Sequence, residues 1–293
     1  MNVYNLRLLY LIPIAVLLMA CDQTGSDYYT SDDGIDRGDS WSAVQAEDGG
    51  RVEVLYVPAG GWAYRDEKGE LTGVTVEIMR DFKRWVSREH GVSLEMLFVT
   101  ETDWRQFYQR VVDAEGGVFG IGNVTITEGR REELAFSPPY LTNIAVLISH
   151  ESMPELPAMN AVADHFSGLS ALAFDGTLHE ERLKVIQAEH APDLNIDKAE
   201  SNDEIIAGVS AGDYFAYIDA YNYWRAKSQG SPLKRHPVAD DPGEEFGVIM
   251  PLGSDWGPLV EDFFRADGGY TNSERYRELL RKHLGEEVAE VLL

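Results

Sequence analysis

Residues 122–140 read GNVTITEGRREELAFSPPY, a hydroxyl-rich stretch that meets a pair of arginines and ends at two prolines. β-Branched Val124 and Ile126 alternate with Thr125 and Thr127, the pattern of a pleated strand or its end. Arg130 and Arg131 stand where a helix starts, and Pro138 and Pro139 forbid that helix to continue. A strand that ends in hydroxyls beside a fixed cation is a grip for a carboxylate. The same residues also suit a surface turn with solvated arginines. The surrounding chain has to decide between the two.

Upstream, RVEVLYV (51–57) opens as a strand. Val76, Met79, Phe82 and Val86 recur at helical spacing between Thr75 and His90, and Gly91 supplies the stop. SLEMLFV (93–99) is a second strand, Trp104 to Ala114 a second helix, and VFGIGNV (118–124) a third strand. Strands that alternate with helices imply βαβ units and a parallel sheet. Downstream of NIAVLIS (143–149) the pattern restarts with SALAF (170–174), a turn and helix over 176–190, a helix over 203–211 and YFAYIDA (214–220). A helix at 221–227 follows. FGVIMP (246–251), after the proline- and acid-rich PVADDPGEE, is again a strand, and helices at 257–265 and 272–283 close the chain. The expected fold class is α/β, with two parallel-sheet lobes joined by two crossover strands. Lobe 1 would take residues 51–145 and 244–293, and lobe 2 residues 146–243.

The N-terminus needs separate treatment. Arg7 is the only charge before LLYLIPIAVLLMA (8–20), a run too short for a spanning helix and suited to the core of a secretory signal over residues 1–21. Leu18-Met19-Ala20-Cys21 resembles a bacterial lipobox, and Cys21 is the single cysteine, so lipidation there is expected and a disulfide within the chain is impossible. Asp22 resembles the inner-membrane retention signal of enteric lipoproteins. Residues 22–50, rich in Asp, Gly, Ser and Tyr, read as a flexible acidic linker. A formal net charge of −25 repels phosphate backbones and excludes nucleic acid as a partner.

Familiar chemistry is sparse. His179-Glu180-Glu181-Arg182-Leu183 begins like a zinc-binding HExxH but ends in leucine, so the second ligand is missing. No GxSxG, GxGxxG or P-loop stands between a strand and a helix. Neither a metal nor a cofactor is expected.

The assembled pattern resembles the bacterial extracellular solute-binding proteins of polar-amino-acid importers, which have the type II periplasmic-binding-protein fold. WAYRDEKGELTGVTVEIM (62–79), TITEGRREELAFSPPY (125–140), LAFDGTLHEERL (172–183), AGDYFAYIDAYNYW (211–224) and FGVIMPLGSDWGPLVEDFF (246–264) carry the resemblance. It implies that Arg130 forks onto a ligand α-carboxylate. Thr125 bonds the same carboxylate, and the Asn123 carbonyl with Asp219 receives an α-ammonium. Thr177 and Leu178 stand at a helix N-terminus suited to an anion. Trp104 and, less directly, Trp62 stack on the ligand side chain. LYVPAGG (55–61) departs from the family in lacking an acid, Ala59 replaces an aromatic, and Leu178 replaces a small or hydroxylated residue.

The implied protein is a lipid-anchored, extracytoplasmic, monomeric and non-enzymatic binder of an amino acid or small carboxylate, partnered by an ABC permease. Two alternatives share the fold. One is a periplasmic cyclohexadienyl dehydratase, with Glu128 or Asp219 as acid, and the other is a stand-alone sensor or cell-wall accessory module.

Overall fold

A computed structural model describes residues 34–292. The signal, Cys21 and the first part of the linker lie outside them. Lobe 1 is built on a five-stranded sheet ordered Ser93–Thr100, Gly49–Tyr56, Val118–Ile121, Ile249–Pro251 and Leu134–Phe136. The first three run parallel, and Ile249–Pro251 is antiparallel to both of its neighbours. Residues 52–56 are all buried, as a strand with helices on both faces requires. Helix Val74–His90 lays Val74, Ile78, Met79, Phe82 and Val86 into the core. It ends at Gly91, whose φ of 70° makes the left-handed cap that glycine adopts without strain.

Lobe 2 repeats the logic. Ile196–Ala199, Ser170–Phe174 and Tyr214–Asp219 are parallel neighbours, and Leu141–His150 then runs antiparallel beside Tyr214–Asp219. Ala145 and Leu147 face one apolar cluster and Val146 and Ile148 another, the two-residue period of a sheet covered on both sides. The crossovers form one ribbon. Leu141–His150 pairs antiparallel with Asp241–Phe246, matching Leu141 to Phe246 and Asn143 to Glu244, with a bulge between Pro242 and Glu244.

Three expectations need correction. Residues 34–50 are not a tether. Arg37–Gly38 pairs with Glu115–Gly116, and helix Trp41–Ala46 seats Val44 in the core with Trp41 5.3 Å from Trp256. The Asp255 carboxylate accepts the backbone N–H groups of Trp41 (2.8 Å) and Ser42 (3.0 Å). Local composition hid a helix whose partners lie far along the chain. The TIT stretch is not a strand either. Gly122, at φ 137°, turns the chain out of the sheet after Ile121, and Thr125 keeps only one bridge, to Phe246. Finally, the second crossover begins inside the acidic run, where Pro242 is tolerated beside a bulge.

No helix among the described residues is long and apolar enough to cross a membrane.

Lobe 2 also contains a buried histidine. His236 Nδ1 accepts the Leu156 N–H at 2.9 Å and Nε2 meets Ser149 Oγ at 2.8 Å. Burial, aided by His165 and Lys234, pushes its pKa down to about 4. The unfolded histidine takes up its proton near pH ~6.5, so its stabilising effect is complete above that pH and is lost as pH falls toward 4. The loss approaches roughly 3 kcal/mol. Urea melts at pH 7.5, 6 and 5 should show this decline, and His236→Asn should reduce it, leaving the part due to His283, which burial also pushes down to about 4. An unchanged slope in the variant would show that another group titrates.

Candidate functional site

A cleft of about 860 Å³, including open solvent at its mouth, separates the lobes. Lobe 1 lines it with the loop after Tyr56, the turn after Ile121 and Arg130; lobe 2 contributes the N-termini of three helices.

Arg130 comes from a one-turn helix, Glu128–Arg131, whose cap Thr127 accepts the Arg130 N–H at 3.2 Å. Its Nη1 donates to the Thr125 carbonyl at 2.9 Å, and the guanidinium lies 5.5 Å from the centre of the Tyr108 ring. Among the described residues no carboxylate comes within ion-pair distance of it. Burial pulls its pKa below the usual arginine value, while Tyr108, Glu244 and Glu133 act the other way. A half-buried, oriented guanidinium without an anion favours one. Arg131 is exposed and lies over Phe136 instead.

Asp219 ends the strand Tyr214–Asp219 and is 2% exposed. It precedes a helix without capping it through its side chain. Instead Oδ2 accepts Asn123 Nδ2 at 2.6 Å, and Oδ1 accepts Asn143 Nδ2 at 2.7 Å and faces His179 Nε2 at 3.3 Å. A carboxylate has about four acceptor sites, so one remains for a ligand. Thr177 caps helix Leu178–Glu189 with its hydroxyl turned back to the Phe174 carbonyl, at 2.8 Å. The N–H groups of Leu178 and His179 in the first turn have no acceptor among the described residues, which leaves two donors at the positive end of the helix.

The lobes touch across this cleft. Besides Asn123 and Asp219, Arg105 of lobe 1 reaches Asp175 at 3.3 Å and Glu180 at 3.2 Å of lobe 2, and Tyr221 donates its hydroxyl to the Gly60 carbonyl. Arg105 and Lys198 hold the Asp175 carboxyl down at about 2. Two α/β lobes, two paired crossovers and a polar cleft between them are the anatomy of a binding protein. Bacterial extracellular solute-binding proteins, family 3, match residues 55–286. The chain belongs to this family.

Solved structures agree on the fold. The arginine-, lysine-, histidine-binding protein ArtJ from Geobacillus stearothermophilus is similar at 22% identity and TM-score 0.61, over 80% of this chain and 96% of that one. A Streptococcus pneumoniae ABC uptake transporter substrate-binding protein with bound histidine is similar at 16% identity and TM-score 0.65, covering 85% and 97%. The ancestral amino acid-binding protein AncCDT-1, a precursor of cyclohexadienyl dehydratase, is similar at 18% identity and TM-score 0.63, covering 80% and 95%. None of the curated protein sequences compared with the chain matches it.

In this solute-binding protein Arg130, Thr125, Asn123, Asp219, Thr177, Leu178 and Trp104 all line the one cleft. Trp104 starts helix Trp104–Asp113 and rests on Phe107 at 5.3 Å, leaving 9% of its surface exposed. Trp62 is a correction. It is fully buried between Tyr221 (5.1 Å) and Phe246 (5.8 Å) and does not reach the cleft. The bridge between Ala59 and Ala63 folds the loop so that residues 57–60 meet the cleft and Trp62 turns inward. Sequence reasoning missed His179, seen only as half a zinc motif. It also missed Asn143, Asn202, Asn222, Arg225 and Glu244, whose types carry no local signal.

Asp219 is therefore a structural node as well as a lining residue. Asp219→Ala removes the acceptor of the half-buried Asn123 amide and one of two acceptors of the buried Asn143 amide, and should cost roughly 1–3 kcal/mol in unfolding free energy, before any ligand is added. Denaturant unfolding of the free protein tests this, and unchanged stability would mean that the amides find other partners.

Proposed function

We propose that this chain captures an amino acid or a similar small carboxylate outside the cytoplasm and delivers it to an ABC importer. The observation that carries the reading is Arg130, a half-buried guanidinium oriented by Thr125 and lacking an anionic partner among the described residues. In this reading the ligand carboxylate sits on Arg130 and on the free amides of the helix that starts at Leu178. The α-ammonium meets the remaining acceptor site of Asp219 and the Asn123 carbonyl, and Trp104 offers an apolar face to the side chain. Histidine and arginine appear in the names of the fold neighbours, in keeping with an amino-acid ligand. The protein works as a monomer without catalysis, anchored through a lipid on Cys21 at the inner membrane, and its lobes close by a hinge in the crossover ribbon.

The dehydratase alternative needs an acid poised in the cleft. Glu128 is exposed and does not line it, and Asp219 is surrounded by N–H donors, which suits an acceptor rather than a proton donor. Prephenate and arogenate should accordingly show no turnover.

The test is calorimetric titration with amino acids found by a thermal-shift screen. Arg130→Ala should cost about 2–5 kcal/mol in binding, or roughly 30- to several-thousand-fold. The melting temperature of the free protein should hold, and Arg131→Ala should bind like wild type. Equal, small losses from both would reduce the segment to a surface turn. For the anchor, Cys21→Ser should leave an unprocessed form or release the protein from the membrane fraction. A variant that matures and fractionates like wild type would remove the lipoprotein reading.

A further inference from the structure

One part of the cleft carries polar groups that the described residues leave unmatched. Asn222 is 1% exposed, and its Nδ2 has no hydrogen-bond partner among them. Arg225, one turn later on the same helix, buries an Nε with no such partner, and Asn202, at the start of helix Asn202–Ala211, buries an Oδ1 with none. All three residues line the cleft. Buried polar atoms are normally satisfied, so three orphans together on one wall mark a place where a ligand supplies the partners.

Their chemistry narrows that ligand. Arg225 Nε–H needs an acceptor. The two asparagine amides each present an oxygen or a nitrogen, so together with Arg225 they call for a group that both accepts and donates. Charge narrows it further. Arg225 opposes an ammonium or guanidinium, yet it is already paired, through Nη2, with Asp203 Oδ1 at 2.9 Å. Asp203 and Glu200 line the same wall and oppose a carboxylate. The guanidinium is fixed as well. It lies 5.9 Å from the centre of the Tyr221 ring and abuts Gly60 so closely that a Cβ there would collide with Nη1. Arg130 lies on the Tyr108 ring and the Thr125 carbonyl, whereas Arg225 lies on the Tyr221 ring, Gly60 and Asp203, so the two guanidiniums occupy different parts of the cleft.

We propose that Asn202, Asn222 and Arg225 form a subsite for an uncharged carboxamide, which makes the preferred ligand an amino acid with a side-chain amide, of the glutamine or asparagine class. This rests on the reading of Arg130 as the carboxylate grip and adds what the far end of the ligand must be. A cationic side chain meets Arg225, an anionic one meets the two acids, and an apolar one leaves all three orphans unmatched.

Calorimetric titration of the full-length protein with glutamine, asparagine, glutamate, arginine, lysine and leucine tests it, with Arg225→Met and Asn202→Ala as variants on two different helices. In the wild type, glutamine or asparagine should bind tightest, roughly ten- to a hundredfold ahead of the charged and apolar amino acids. Each variant that keeps a cooperative melt should lower the ratio of amide to leucine affinity about tenfold. Tightest binding of arginine, lysine, glutamate or leucine would overturn the subsite. So would an amide-to-leucine ratio that neither variant changes. If no amino acid binds, the amino-acid reading itself falls, and the subsite with it.

Discussion

The carboxylate of Asp219 joins the parts of this molecule that would otherwise move apart. It takes one amide from Asn123 in lobe 1, a second from Asn143 on the first crossover, and faces the His179 ring in lobe 2. Asn143 also donates to Glu244 on the second crossover at 2.8 Å, and Glu244 pairs with Arg182 of lobe 2. Both lobes and both crossovers thus meet in one buried polar network. In a low-dielectric setting the hydrogen bonds of such a network are stronger than in water, which stiffens the junction. The ribbon fixes which residues face one another, and Asp219 fixes how far apart the lobes stand.

Around that node, the sequence was most legible where the signal is periodic. Helix Val74–His90 announced itself by its apolar stripe and Gly91, and the parallel strands by short β-branched runs between turn residues. Arg130 was legible only through resemblance, because an arginine in a surface turn has the same neighbours in sequence as one in a cleft. Trp62 was misplaced for a related reason: an indole that lines a cleft and one that fills a core look alike until the backbone bridge at Ala59 and Ala63 is known. Helix Trp41–Ala46 is six residues long and depends on Asp255 and Trp256, so no window of its own composition reveals it. Asn143 and Glu244 gain their meaning from strand register, which composition does not encode.

Charge acts on two length scales here. The chain carries a formal net charge of −25, an unfavourable field for an approaching anion. Salt screens exposed charges beyond about 8–10 Å, so this field weakens before the cleft is entered. Inside, in the proposed reading, Arg130 and the first-turn amides of the helix from Leu178 would act on a carboxylate over hydrogen-bond distances. A zwitterion suits both scales. It has no net charge to be repelled at a distance, and in the proposed reading each end has its own counterpart once bound.

The energy for closure comes from the same short-range contacts. Arg105 is 57% exposed, so its contacts with Asp175 and Glu180 contribute at most about 1 kcal/mol. Removing the half-buried Arg130 guanidinium from water without an anion carries a desolvation cost that works against those contacts and opposes a shut cleft. The interlobe bonds from Asn123 and Tyr221 offset part of that cost, each by about 1 kcal/mol. Without an anion these opposing terms make closure less favourable than it is with one. A ligand shifts that balance only by binding one form better than the other. In the proposed reading a ligand carboxylate does so, because Arg130 would be hydrated with the lobes apart and would depend on the ligand with them together. In that reading, the residue that takes the ligand carboxylate is thus also the one that makes closure conditional on it.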